Sequence, residues 1–175
     1  SGLTNLEYLR VDADGLESFH GMEQLANLKE AYFWGSSATY LDVSPLGGLS
    51  QRQILRLPDR SGGNNMPPYS ADGLSGLSGL RELTMNSAAQ SLEPLRNLTG
   101  LTKLSIAGNP CPGAFQSLEP LSGLTGLKTL VLNLPSLTDL SPLSSLTGLQ
   151  SANITAPGVS DWSPLSHVPV VRQGE

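Results

Sequence analysis

The sequence predicts an α/β solenoid of about seven stacked repeats, each a short parallel strand followed by a helical turn. Three observations predict this fold class. The template L-x-x-L-x-L recurs seven times, a Pro-Leu pair recurs at a fixed offset from it, and 33 of the 175 residues are leucine. Self-similarity with a period of about 20–50 residues is typical of units that bury their apolar faces only against their neighbours.

The strands come from the template. Its last two apolar positions are two residues apart, so they lie on the same face of an extended segment. Successive copies are spaced by 22, 24, 28, 21, 26 and 22 residues, which gives a unit of about 22 residues with insertions. The third copy is degenerate because it begins with Arg52. The inner pairs are Leu9 and Val11, Ala31 and Phe33, Leu55 and Leu57, Leu83 and Met85, Leu104 and Ile106, Leu130 and Leu132, and Ala152 and Ile154.

The helical turns come from the second landmark, which reads Asp42-Val43-Ser44-Pro45-Leu46 in its first copy and recurs at 91–95, 117–121, 139–143 and 161–165. Serine is a good N-cap, and proline suits the first helical position because it has no N–H to leave unpaired. Each return segment is therefore expected to carry a short helical or 3₁₀ turn. The leading aspartates (Asp42, Asp139, Asp161) are interpreted as turn formers that bind their own backbone, and not as a metal-binding ladder.

The length favours one domain over residues 1–175. The chain opens in the second half of a repeat, and repeat arrays need polar caps, so we expect a C-terminal fragment of a larger protein. An eighth repeat begins at Leu165, Val168 and Val171, and Pro169 with the polar tail at 172–175 is expected to stop it. Glu175 is interpreted as the natural C-terminus, with truncation as the alternative. Insertions at 58–73 and 109–116 follow strands, and each is either a binding loop or tolerated drift.

Several classes of function are excluded at this stage. The net charge is −5 without a basic run, which argues against a nucleic-acid partner. No run of about 18 apolar residues is present, which argues against a membrane span. The two histidines, His20 and His167, lie at opposite ends of the array, and Cys111 is the single cysteine. We therefore predict no catalytic residue, no metal site and no cofactor.

A binding surface is predicted on the solvent side of the first three strands. There the residues that flank the inner pairs include two tyrosines, a tryptophan and two arginines, the types that dominate interface hot spots. The corresponding residues of the last strands are small and polar. The alternative role for the aromatic residues is packing against further N-terminal repeats or an insertion. The predicted ligand-binding residues are Tyr8, Arg10, Asp12, Glu30, Tyr32, Trp34, Ile54 and Arg56.

These repeats resemble the leucine-rich-repeat family over the whole chain. The 22-residue unit with its Pro-Leu landmark is most similar to the bacterial internalin type. The resemblance implies a right-handed superhelix with the parallel sheet on the concave face and the helical turns on the convex face. One departure concerns the asparagine that the family places three residues past the last strand leucine. Only Asn109 occupies that slot, so the turns after the strands are expected to be less regular.

The chain also resembles the repeats at the C-terminus of bacterial NACHT-type NTPases, which are similar to NOD-like immune receptors. That resemblance implies a cytoplasmic sensor in antiphage defence, whose protein partner is a phage or pathogen component or the protein's own upstream domains. Three alternatives stay open. They are a secreted or surface internalin-like adhesin, the substrate-binding repeats of an enzyme whose catalytic domain is absent here, and a structural spacer.

Overall fold

Parallel strands form one sheet in strictly sequential order in the computed structural model, which describes residues 3–35, 41–58, 69–107, 115 and 117–173. Each of the seven template copies forms a strand, as predicted. In the described part of the chain, the strands are β1 (Tyr8–Asp12), β2 (Glu30–Trp34), β3 (Ile54–Arg56), β4 (Glu82–Asn86), β5 (Lys103–Ala107), β6 (Thr129–Asn133), β7 (Ser151–Thr155) and β8 (Val170–Gln173).

The eighth strand corrects one expectation. Pro169 does not stop the array, because β8 begins at the next residue and pairs with β7 in parallel. Proline is tolerated just before a strand, where its missing N–H removes no ladder hydrogen bond. Val171 pairs with Ala152 and packs partly buried against the core, so it continues the inner apolar row of the sheet by one more strand.

A 3₁₀ turn follows each of β1 to β7, and five of these turns carry the Pro-Leu landmark that predicts them, whereas those after β1 and β3 lack it. The turns span Met22–Gln24, Ser44–Gly48, Asp72–Gly76, Glu93–Leu95, Glu119–Leu121, Ser141–Ser145 and Ser163–Leu165. The two central glycines reflect close packing of neighbouring turns. A Cβ on Gly73 would overlap the backbone of Val43, and one on Gly76 would overlap that of Gly47. None of the helical segments among the described residues is long and apolar enough to cross a membrane.

The predicted N-cap role of serine is wrong by one position. In the turn Ser44–Gly48 the N-cap is Val43, which makes no side-chain cap bond, and Ser44 is already the first helical residue. Instead the Asp42 carboxylate accepts the Ser44 backbone N–H at 3.0 Å. Asp139 and Asp161 accept the equivalent N–H groups at 2.8 and 2.9 Å. The leading aspartates are thus turn formers, as expected. Hydrogen bonds from the serine hydroxyl and backbone N–H lower the pKa of Asp42 and Asp161, and the same two bonds, the backbone one first, lower the pKa of Asp139.

One elongated core runs under the whole sheet. Its central row consists of residues that share one register position, and each is at most 1% exposed. The turn leucines close the core from the opposite side. The row comprises Ala31, Leu55, Leu83, Leu104, Leu130 and Ala152, and the turn leucines comprise Leu46, Leu74, Leu95, Leu121, Leu143 and Leu165.

The core departs from this regularity at two places near its beginning. The inner side of β1 is open, with Leu9 half-buried and Val11 38% exposed. Further on, Arg52 occupies the slot that leucine holds in the neighbouring copies at Leu28 and Leu80, and it is 0% exposed. None of its guanidinium nitrogens has a hydrogen-bond partner. Burial lowers the pKa of Arg52 to about 10, because the charged form loses its hydration.

The chain on either side of the first insertion is attached to the core at the end of β4 and just after it. The Asn86 side-chain amide donates to the Pro58 carbonyl at 3.4 Å and accepts the Ala88 N–H at 3.0 Å. After the first insertion Tyr69 forms a parallel bridge to Ala89. The insertions themselves lie largely outside the described residues, at 59–68, 108–114 and 116, so their proposed role in binding stays a prediction.

Candidate functional site

The predicted binding residues lie in three rows across the first three strands. We call these eight residues the N-terminal patch. Tyr8, Glu30 and Ile54 form the first row, and Arg10, Tyr32 and Arg56 form the second. Asp12 and Trp34 form the third row. Because parallel pairing keeps every second residue on the same face, all eight side chains share the solvent side of the sheet.

The aromatic residues of the patch contact one another. The ring centroids of Tyr8 and Tyr32 are 5.6 Å apart, with the rings tilted by 42°. Tyr32 and Trp34 have centroids 6.1 Å apart and are nearly parallel at 18°. Tyr8 is nevertheless 51% exposed. The rings therefore form a continuous apolar strip on a face that points to solvent.

The arginines flank the tryptophan from the two neighbouring strands. The Arg10 guanidinium carbon lies 4.2 Å from the Trp34 ring centroid, and that of Arg56 lies 6.0 Å from it. Each arginine is diagonal to Trp34 in the register, at a distance that long side chains span. A cation over an aromatic ring is stabilised by the ring's negative face, so these contacts hold the three side chains in place.

The tyrosine at the centre of the patch is held by a carboxylate. The Tyr32 hydroxyl donates to Glu30 Oε2 at 3.2 Å. Partial burial and the hydrogen bond to Glu30 raise the pKa of Tyr32 above its ordinary value. The Asp12 carboxylate bonds the nearby backbone instead of a patch side chain, since it accepts the Asp14 N–H at 3.2 Å. Ile54 is half-buried and contributes apolar surface beside Glu30.

A hollow next to the patch was not predicted from the sequence. It encloses about 300 Å³ on the same face of the sheet, and Arg56 forms part of its wall. The hollow arises because small side chains, such as Thr84 and Ser105, stand between longer ones on β3 to β6. Short residues at every second position of adjacent strands are the signal that would have indicated it. Its lining comprises Arg56, Leu57, Thr84, Met85, Asn86, Lys103, Ser105, Ala107 and Val131.

The C-terminal half of the face has no comparable cluster. The row that begins with Arg10, Tyr32 and Arg56 continues through Ser105, Val131 and Asn153. Among the described residues, none of the aromatic or cation–π contacts involves β5, β6 or β7.

Within the ranges that the structure describes, no three His, Cys, Asp or Glu side chains come together in a way that could hold a metal ion. His20 lies 3.6 Å from Glu23 at the first turn. His167 bonds the Leu146 carbonyl at 3.0 Å near the other end of the array. Cys111 lies outside the described residues.

The structure is similar to internalins. Internalin C2 of Listeria monocytogenes matches with a TM-score of 0.69 and 26% identity, over 98% of this chain and 82% of that chain. An internalin (inlF) of the same species matches with a TM-score of 0.72 and 24% identity, over 99% of this chain and 55% of that chain. This chain thus spans about half the length of the second protein. No protein-family model matches, and no curated protein sequence matches.

The strand order, the 3₁₀ turns on the return side and these neighbours together show the architecture that the repeats predict. They support a bacterial type of repeat domain and a role in protein interaction. The fold is a leucine-rich-repeat solenoid.

Proposed function

We propose that this domain is a non-catalytic protein-recognition module that binds a protein partner through the N-terminal patch. One observation carries the proposal. The strip of Tyr8, Tyr32 and Trp34, flanked by Arg10 and Arg56, lies on the solvent side of the sheet and is not needed to complete the core. Tyrosine, tryptophan and arginine supply most of the binding energy in protein interfaces.

Pre-organisation supports the same role. Side chains that are fixed before binding lose less conformational entropy when a partner docks. The ring contacts and the hydrogen bond from Tyr32 to Glu30 fix these side chains in the unbound domain. The neighbouring hollow adds a recess into which a partner side chain could insert.

We further propose that the domain is the C-terminal sensor of a cytoplasmic NACHT-type NTPase, where partner binding releases the upstream ATPase in antiphage defence. The support is compositional, namely the predominance of arginine over lysine, the high glycine content and the single cysteine. In this setting the partner is a phage or pathogen component, or the protein's own upstream domains.

A second setting is an internalin-like repeat domain of a secreted or surface protein. The similarity to two internalins of Listeria monocytogenes favours this alternative. Fractionation of the source cells with an antibody against the domain separates the two settings. Recovery in the cytoplasm supports the sensor, and recovery in the medium or cell envelope supports the internalin-like protein.

The recognition proposal is tested by affinity capture with three purified versions of the domain. The first is wild type, and the second carries Tyr32→Ala, Trp34→Ala and Arg56→Ala. The third is a matched control with Thr129→Ala, Asn153→Ala and Thr155→Ala, which truncates side chains on the same face in the other half, away from the hollow. Lysates from infected and uninfected cells serve as the source of partners.

The expected result is a protein retained by wild type and control and lost with the patch variant. Purified, it should bind the patch variant at least about tenfold more weakly by calorimetry, since hot-spot side chains contribute about 2 kcal/mol or more each. Equal binding by the patch variant and wild type would contradict the proposal. Capture only after infection would support the immune setting.

A further inference from the structure

The arginines of the N-terminal patch differ from the other cationic side chains that the structure describes. Away from the patch, every exposed lysine or arginine with a described side chain has a polar partner within the chain. These pairs are Lys29 with Glu7, Arg81 with the Gly100 carbonyl, Arg96 with Glu93, Lys103 with Glu82 and Lys128 with the Gly148 carbonyl. Among the described residues, Arg10 and Arg56 contact Trp34 and neither donates a hydrogen bond nor pairs with a carboxylate.

The carboxylates on the same face are already engaged. Asp12 accepts the Asp14 N–H, and Glu30 accepts the Tyr32 hydroxyl. On the next strand Glu82 lies 3.4 Å from Lys103. The two guanidinium groups are thus free cations within 6.0 Å of one ring centroid, on a chain whose net charge is −5.

A guanidinium beside an aromatic ring is well suited to bind a carboxylate. The ring contact restrains the side chain, while the planar N–H groups remain able to form two parallel hydrogen bonds with the two oxygens of a carboxylate. The ring and the low dielectric beside it also strengthen the ion pair relative to one in open water. Next to Arg56 the hollow of about 300 Å³ has room for the side chain that neighbours the carboxylate in the partner.

We propose that Arg10, Trp34 and Arg56 form a carboxylate clamp, and that the partner segment it selects is an acidic polypeptide. The proposal deepens the proposed recognition function and rests on it. The clamp favours a polypeptide carboxylate over a nucleic acid, because two guanidinium groups at one ring suit a single carboxylate, whereas Asp12, Glu30 and Glu82 around them would repel a continuous row of phosphates.

The clamp is tested by nuclear magnetic resonance on the Trp162→Phe variant, in which Trp34 is the remaining tryptophan. Its indole N–H signal then reports directly on the clamp. Three probes are titrated, namely a short peptide with four glutamates and one phenylalanine, the same peptide with glutamines, and a dT oligonucleotide of equal length. The Arg10→Gln, Arg56→Gln double variant is compared with an Arg81→Gln, Lys128→Gln control of equal charge.

The glutamate peptide is expected to shift the Trp34 signal saturably. The glutamine peptide should bind the domain at least about tenfold more weakly than the glutamate peptide, because charge-assisted hydrogen bonds are lost. The glutamate peptide should bind the Arg10→Gln, Arg56→Gln variant more weakly by a similar factor, and it should bind the Arg81→Gln, Lys128→Gln control unchanged. Binding should also weaken about severalfold between about 50 and 300 mM salt. Equal binding of the glutamine peptide, tighter binding of the oligonucleotide, no shift with any probe, or an unaffected double variant would each overturn the clamp.

The natural partner separates this proposal from the one on which it rests. If the Tyr32, Trp34 and Arg56 triple variant loses a captured partner while the Arg10→Gln, Arg56→Gln variant binds it as wild type does, the recognition function stands and the carboxylate clamp is wrong. If neither variant affects the partner, both are wrong.

Discussion

The two halves of the concave sheet share one backbone and differ in what they present to solvent. In β1 to β3 the exposed positions carry a stacked aromatic strip with two arginines. In β5 to β7 the same register positions carry side chains such as Ser105, Val131 and Asn153. The pairing register is continuous across this change. The inner positions therefore determine the fold, and the outer positions are free to be specialised for binding.

The cores of the two halves differ as well. In β4 to β7 the inner residues are buried aliphatic side chains, whereas the N-terminal half contains the buried Arg52, an open first strand and a pair of edge-to-face phenylalanines. Since each repeat contacts only its neighbours, stability is expected to vary along the array. The half that carries the patch is thus the less regularly packed half, which four measurements can test.

The largest expected effect comes from the regular part of the core. Leu130 is 0% exposed, so Leu130→Ala should cost about 2–5 kcal/mol by creating a cavity that the stack cannot close. Leu9→Ala, at the corresponding position of the half-buried first strand, should cost only about 1 kcal/mol, because less of its side chain leaves water on folding. Urea denaturation measures both. Equal losses would show that the two halves are equally well packed.

A smaller effect of opposite sign is expected at Arg52. Arg52→Leu restores the repeat residue and removes an unpaired buried charge, so it should stabilise the domain by about 1–4 kcal/mol. Since folding lowers the pKa of Arg52 to about 10, the unfolded chain holds this proton more tightly. The penalty is therefore complete below pH 10 and is relieved as the pH rises above it.

The Arg52 prediction is checked by urea midpoints of wild type, Arg52→Leu and Arg81→Leu, the last being an exposed arginine as control. The control should change stability by no more than about 0.5 kcal/mol. The rise in wild-type stability above pH 10 should be absent from Arg52→Leu. A destabilised Arg52→Leu variant would mean that the guanidinium makes favourable interactions in the folded domain.

The patch itself should contribute little to stability. Trp34→Ala loses two exposed cation–π contacts and the stacking on Tyr32, which together should cost about 1–2 kcal/mol. Val131→Ala, at a half-buried position on the same face of the other half, serves as the matched control and should cost less than about 1 kcal/mol. Thermal unfolding followed by circular dichroism measures both. If Trp34→Ala proved as costly as Leu130→Ala, the aromatic strip would have a structural role and the comparison would fail.

The smallest effect concerns the turns, which are alike in both halves. The lowered pKa of Asp42 and Asp139 means that their bonds to Ser44 and Ser141 stabilise the fold above the ordinary aspartate pKa of 3.8. That contribution is lost as the pH falls through the lowered folded-state values. The urea midpoint of the wild-type domain should therefore decrease at acidic pH. In Asp42→Asn and in Asp139→Asn this decrease should be smaller, and to a similar extent in both variants. A change confined to one variant would show that the turns differ.

Much of the fold follows from local patterns in the sequence. The spacing of the apolar pairs predicts β1 to β7, since strand periodicity and repeat length are properties of the chain itself. The eighth strand was missed because Pro169 was treated as a terminator, although a proline just before a strand costs no ladder bond. The position of the N-cap was wrong because the 3₁₀ turn begins at Ser44, one residue earlier than expected, so that Val43 is the N-cap and Asp42 accepts the Ser44 N–H.

The candidate site was predictable only in part. The register places all eight predicted residues on one face, as expected. The contacts of Arg10 and Arg56 with Trp34 depend on side-chain rotamers across diagonal neighbours, which periodicity does not specify. The hollow depends on the relative lengths of side chains on β3 to β6, and it appears only when those strands are aligned.

The central claim, that the partner docks on the N-terminal half, is tested most directly by hydroxyl-radical footprinting. Tryptophan and tyrosine are readily oxidised, and the chain carries Trp34 in the patch and Trp162 near the other end. With the captured partner bound, oxidation of Tyr8, Tyr32 and Trp34 should fall severalfold, while that of Trp162 stays unchanged. Protection of Trp162 with full oxidation of Trp34 would place the interface elsewhere and contradict the account.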